Sequence, residues 1–264
     1  MTDLALIAGR GGLPAALLAS LPERPFVCAL DGFAPDGITV DQVFRVERLA
    51  LFLRLLEDRG IKRVAFAGAV QRPRLDPSLF DPQTAQLVPR LLAAMQAGDD
   101  ATLRAVIGIF EEADFSVVGV EDIAPKLLPG AGVLAGVLPG NAESDATRAA
   151  AIVAALGAVD VGQGCVVANG LCLAVEALPG TDAMLAGVAA LPETLRPKGG
   201  LFYKAAKPGQ DRRIDLPTIG PETLALVAKA GLAGICFQAG SVICLDLTAM
   251  QADAQARGLF LWAR

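Results

Sequence analysis

Short apolar runs and amphipathic segments alternate over the first 125 residues. Residues 3–8 form an apolar run that ends in Gly9, Arg10, Gly11 and Gly12. Pro14 opens a helical pattern through Leu18 and Leu21, and residues 25–30 read as a second strand. Leu49, Leu53 and Leu56 recur at helical spacing and predict a helix over 47–59, closed by Gly60. A buried-type strand is predicted at 63–67, followed by helices at 84–97 and 99–110. These helices are parted at Gly98, where Asp99 or Asp100 serves as the expected N-cap. A further strand is predicted at 115–120. Strands alternating with helices predict a parallel sheet covered on both faces.

The pattern changes after residue 126. Residues 127–142 hold two Leu-Pro-Gly turns and no clear period, so they read as a linker between a domain at 1–126 and another at 143–264. An Ala-rich helix is predicted at 144–156, with Ser144 or Asp145 as its cap. Strands at 159–167 and 171–176 meet at Asn169-Gly170, a strong hairpin signal, and Gly162-Gln163-Gly164 interrupts the first with a bend or bulge. Thr181 and Asp182 are the natural caps of a helix at 183–190. Then come a helix at 221–230, a strand pair at 234–237 and 242–245, a helix at 248–257 and a last segment at 259–262. The fold class is α/β. A parallel-sheet N-terminal domain is joined to a distinct mixed α/β C-terminal domain, with the substrate cleft expected between them.

Composition narrows the chemistry. Hydrophobic residues make up 53% of the 264, yet aromatics only 5%, so the expected core is built of Ala, Leu, Val and Ile. No uncharged stretch reaches the ~18–20 residues of a membrane helix, and the expected location is the cytoplasm. A net charge of −5 argues against nucleic acid, whose phosphates demand a basic face. The five cysteines show no CxxC pair and read as buried free thiols. Histidine is absent altogether. That excludes Ser-His and Cys-His nucleophile pairs and His-bearing metal sites, leaving carboxylates, a hard metal, lysine or backbone donors.

Charge gathers in residues 204–220. Six of these seventeen positions are charged: Lys204, Lys207, Asp211, Arg212, Arg213 and Asp215. The alternation at 213–216 has the period of a strand, with Arg213 and Asp215 on one face. Cations beside carboxylates suit a phosphate ligand bridged by a divalent ion. The glycine loop at 9–12, between a strand and a helix, is a second place for phosphate, and Asp31 closes the second strand where a dinucleotide fold places its ribose-binding acid. Pro14 stands where the third glycine of that fingerprint belongs, which counts against nicotinamide chemistry. Arg72, after the strand at 63–67, is a candidate anion contact.

These motifs occur in order along the whole chain: IAGRGGLP at 7–14, FAGAVQRP at 66–73, GDD at 98–100, VGQGCVV at 161–167, AVEALPGTDAML at 174–185 and KAAKPGQDRRIDLPTIGPETL at 204–224. Together they resemble the LpxI family of UDP-2,3-diacylglucosamine pyrophosphatases; the family's usual IAGGG loop carries Arg10 here. The resemblance implies a Rossmann-like N-terminal domain and a magnesium-dependent enzyme of lipid A biosynthesis, with manganese as the alternative ion. Water would attack the sugar-side phosphorus of a diacylated UDP-sugar, releasing UMP and lipid X. Carried over by position, Asp215 is the essential aspartate. Asp182, Lys204 and Arg213 join it as catalytic residues, and Asp215 and Asp211 are the metal ligands, with Asp182 the rival for second carboxylate. Gly11, Gly12, Arg72, Asp99, Asp100, Gln163, Thr181, Gln210 and Asp211 would bind substrate. A lipid substrate implies transient contact with the inner membrane surface, and the apolar surplus leaves room for a homodimer. Two other readings remain at this point: a nicotinamide oxidoreductase using the Gly9 loop, and a non-catalytic nucleotide or lipid carrier.

Overall fold

A computed structural model describes residues 2–71, 74–195 and 198–264, with the side chains of Asp99, Asp100 and Glu193 left out of the description. Arg72 therefore lies outside the described residues. The chain divides into two compact units. One comprises residues 1–125 with 211–215, the other 126–210 with 216–264.

The first unit is built on five parallel strands: β1 (Leu4–Ala8), β2 (Phe26–Leu30), β3 (Gln42–Phe44), β4 (Arg63–Ala67) and β5 (Ser116–Val117), in the order β3-β2-β1-β4-β5. Its helices are α1 (Leu13–Ser20), α2 (Leu49–Asp58), α3 (Thr84–Ala97), α4 (Asp99–Glu112) and α5 (Val120–Ile123). All five residues of β1 are buried, as expected of a central parallel strand covered on both faces. Helix α2 buries Leu49, Phe52 and Leu56. The core here is more aromatic than composition suggested: Phe110 meets Phe66 edge-on at 5.3 Å and Phe115 at 6.1 Å. Residues 118–120 are not strand, because β5 stops at Val117 and Val120 opens α5. Gly98, rather than Asp99 or Asp100, is the N-cap of α4.

The second unit centres on a six-stranded mixed sheet. Its strands are β6 (Gly132–Ala135), β7 (Gly164–Ala168), β8 (Leu171–Val175), β9 (Leu201–Lys204), β11 (Gly234–Phe237) and β13 (Phe260–Ala263), in the order β6-β13-β11-β9-β7-β8. The strands β9, β11 and β13 run parallel, while β6 with β13, β7 with β9 and β7 with β8 form the antiparallel pairings. Helix α6 (Ala142–Ala158) packs through Ala146, Ala149 and Val153 on one face. Helices α7 (Gly180–Ala189), α8 (Pro221–Lys229) and α9 (Leu247–Arg257) cover the other through Leu185, Leu224 and Met250. Two short parallel strands, β10 (Thr218–Ile219) and β12 (Ile243–Cys244), pair separately. The expected partnership of 234–237 with 242–245 is thus replaced by β11 with β9 and β13, and by β12 with β10.

The β7–β8 hairpin turns at Asn169-Gly170, both at positive φ. Asp145 of α6, 1% exposed, accepts the turn amides of Asn169 at 3.0 Å and Gly170 at 2.6 Å, and the Asn141 side chain at 2.8 Å. That explains a buried acid on the face of α6 that otherwise packs through Ala146, Ala149 and Val153. The run expected as a linker carries β6, which pairs with β13 and so belongs to the sheet. Four cysteines are buried and Cys172 is exposed. Burial pushes the Cys28, Cys236 and Cys244 thiols up to about 12, where they stay protonated. Among the described residues, no helix is long and apolar enough to cross a membrane.

Candidate functional site

In the first unit, β1 and β4 end side by side. The Gly9 amide donates to the Ala67 carbonyl at 2.7 Å, and Arg10 and Ala69 exchange bonds of 3.0 and 2.8 Å. A Cβ on Gly9 would lie 2.6 Å from the Ala69 oxygen, and one on Gly68 would lie 2.6 Å from the Arg10 oxygen. These two glycines permit close backbone approach. Gly11, at φ +94, and Gly12, the N-cap of α1, stand beyond that contact, where helix amides can meet an anion. Arg10 reaches back to the Gly32 carbonyl at 2.9 Å and lies over the Phe33 ring at 5.6 Å. Asp31 forms an ion pair with Arg45 at 2.7 Å.

Residues 211–215 belong to this unit. They do not form the predicted strand: residues 212–214 are a turn in which the Ile214 and Asp215 amides donate to the Asp211 carbonyl. Ile214 packs against the core around Phe110. Arg212 pairs with Glu121, and Arg213 with Glu111 at 2.6 Å. Arg213 also grips Asp211 through Nε at 2.9 Å and Nη2 at 2.7 Å. This guanidinium, above all through its hydrogen bonds, holds the Asp211 carboxyl below the usual carboxylate range; Asp211 and Glu111 in turn raise the Arg213 pKa. A Cβ on Gly119 would sit 3.0 Å from the Arg213 Cα, so glycine admits the turn. Asp215 is half-buried at its end.

In the second unit, Lys204 closes the central strand β9 and is only 6% exposed. The C-terminal end of a parallel strand is where ligands of α/β sheets collect, and a buried lysine requires a partner. Lys204 Nζ donates to Thr181 Oγ1 and lies 3.5 Å from Glu176 Oε2. Thr181 donates to Glu176 Oε1 at 3.0 Å. Helix α7 begins at Gly180 with Pro179 as N-cap, so Thr181 and Asp182 lie in its first turn and do not cap it. Thr181 faces the cluster, while Asp182 is exposed. Gln163 accepts the Ala205 amide on its carbonyl at 3.0 Å, and Gly164 stands opposite Lys204 in the sheet. Gln210 accepts the Lys207 amide at 3.0 Å, and Lys207 pairs with Asp160.

The structure thus brings Lys204 and Thr181 together, and separately Asp211 with Arg213. Glu176 escaped the sequence reading. Its one signal is a lone carboxylate directly after the apolar run 171–175, a position that ordinarily reads as exposed. Among the described residues, no group of three or more Asp, Glu or Cys converges into a ready-made metal cage. Asp211 is already engaged by Arg213. Magnesium, however, is commonly held by one or two carboxylates and completed by substrate phosphates, which asks less of a protein than a full cage.

The family model described as LpxI N-terminal domain matches residues 3–127, and the LpxI C-terminal domain model matches residues 130–262. A curated relative from Caulobacter vibrioides, UDP-2,3-diacylglucosamine pyrophosphatase LpxI, is 38% identical over 99% of this chain and 97% of its own length.

Proposed function

The chain belongs to the LpxI family, and from that membership we propose that it hydrolyses the pyrophosphate of UDP-2,3-diacylglucosamine to UMP and 2,3-diacylglucosamine 1-phosphate (lipid X), as a step of lipid A biosynthesis. The observation that carries the reading beyond resemblance is Lys204, an almost fully buried cation at the end of a central parallel strand. Water adds to the sugar-side phosphorus, the bond from that phosphorus to the bridging oxygen breaks, and UMP leaves with that oxygen. The protein's task is to stabilise charge on phosphate oxygens and to position groups. Lys204 is assigned that charge, with Thr181 beside it. The Asp211–Arg213 pair holds the turn that ends at Asp215.

Mg2+, or Mn2+ in its place, would be held by Asp215 together with phosphate oxygens of the substrate. When bound, such an ion neutralises the charge of the diphosphate. Incubation of the purified protein with Mg2+ and the diacylated UDP-sugar should release UMP; in 18O-water the label should enter lipid X and not UMP. Retention of the sugar nucleotide without UMP release would replace this reading with a carrier. Asp215→Asn should lower turnover about a hundredfold. Near-normal turnover with an unchanged Mg2+ requirement would refute the metal-ligand role.

A further inference from the structure

We infer that Glu176 is a positioning residue, fixing the Lys204 ammonium and the Thr181 hydroxyl in register with each other. This assignment rests on the pyrophosphate-cleaving role of Lys204. Three observations carry it. Thr181 has a single hydroxyl proton, and it goes to Glu176 Oε1 at 3.0 Å, so the hydroxyl must present a lone pair to Lys204 Nζ. Glu176 Oε2 stands 3.5 Å from that ammonium, inside ion-pair range yet beyond a good hydrogen bond. The carboxylate therefore balances the buried charge without capturing it in a short direct bond. Finally, Oε2 is buried with no hydrogen-bond partner among the described residues, unusual for a buried carboxylate oxygen. The scaffold acid Asp145, by contrast, accepts three hydrogen bonds.

The backbone is shaped to keep Glu176 there. Its amide donates to the Gly164 carbonyl at 2.8 Å. A Cβ on Gly162 would fall 2.0 Å from the Glu176 carbonyl oxygen, and one on Gly164 would fall 2.6 Å from Oε2 itself. Of the glycines either side of Gln163, Gly162 thus admits the Glu176 backbone and Gly164 clears the space that the carboxylate occupies, giving that Gly-Gln-Gly motif a physical purpose. An orphaned oxygen is destabilising by itself, and its retention is accounted for when the arrangement serves a neighbouring group.

The test is Glu176→Gln, which keeps the shape and removes the charge. Below its melting temperature, kcat for UMP release should fall about ten- to a hundredfold, as small misplacements of a catalytic group do. KM should change far less. Acylation of Lys204 by limiting acetic anhydride, followed by peptide mass spectrometry, should rise relative to wild type. Unchanged kcat with unchanged Lys204 acylation overturns the proposal. The double variant E176Q/K204M should be no less active than K204M alone, whereas additive losses would overturn it. If E176Q does not fold, recovery of folding in the double variant supports the pairing, and failure of both assigns Glu176 to the scaffold. Should the wild type release no UMP, the pyrophosphatase reading fails, while the acylation comparison still decides whether Glu176 positions Lys204.

Discussion

Each unit carries a central parallel strand ending in a polar loop, and the two ends are built in opposite ways. The end of β1 is closed by backbone: Gly9 and Gly68 let two loops approach until Arg10 and Ala69 bond to each other. The end of β9 is held by side chains: a nearly buried ammonium, a threonine and a carboxylate with one unsatisfied oxygen. The charged turn of the first unit offers a second contrast, since Arg213, Asp211 and Glu111 are each at least partly exposed and Arg213 bonds to both acids. A glycine such as Gly9 is thus weak testimony to a ligand when close packing of the backbone already accounts for it. A buried cation is stronger testimony, because desolvating it is unfavourable by several kcal/mol unless it is paired.

Substitutions can break this contrast at three levels. The largest effect belongs to Lys204→Met, expected to lower UMP release about a hundredfold or more, in line with the loss of a preorganised donor to developing phosphate charge. Full activity in this variant would move the chemistry away from β9. Next comes Gly68→Ala, which puts a Cβ 2.6 Å from the Arg10 carbonyl oxygen at a φ of +90. It should lower stability by about 2 kcal/mol or more in urea unfolding, and an unperturbed midpoint would show that the loops are not closed by backbone.

The smallest effect belongs to Arg213→Gln, which removes a partly exposed pair and should alter neutral-pH stability by less than about 1 kcal/mol. The pH dependence has a definite sign. Arg213 lowers the folded-state pKa of Asp211, so its contribution is present above the ordinary carboxylate range and is lost as pH falls through the lowered value. Melting temperatures recorded from about pH 5 down to about pH 2 should therefore fall less steeply in Arg213→Gln than in wild type. Identical acid limbs would remove Asp211–Arg213 from the account of that turn.

Much of the architecture was legible locally. The buried runs of β1, β2 and β4 lack charge almost throughout because both faces are covered, and the Asn169-Gly170 turn announces its hairpin through residues that tolerate positive φ. The alternation at 213–216 misled, because Ile214 is buried by packing of a turn and not by a sheet. Strand β9 was missed because its apolar residues run directly into the charged stretch that begins with Lys204. Residue types at 204 and 215 pointed to phosphate chemistry, yet Glu176 offered only its place after an apolar run, where a carboxylate ordinarily reads as exposed.

By itself, then, the sequence determined the α/β class, most elements, the absence of imidazole chemistry and the family, since periodicity, composition and motif order are properties of the chain. Only the tertiary structure decided that residues 211–215 join the first unit, that Arg213 answers Asp211 and Glu111, and that Lys204 lies against Glu176 and Thr181. Burial and pairing of charge depend on neighbours far apart in sequence, and a charged residue looks the same in one dimension whether water or another side chain surrounds it.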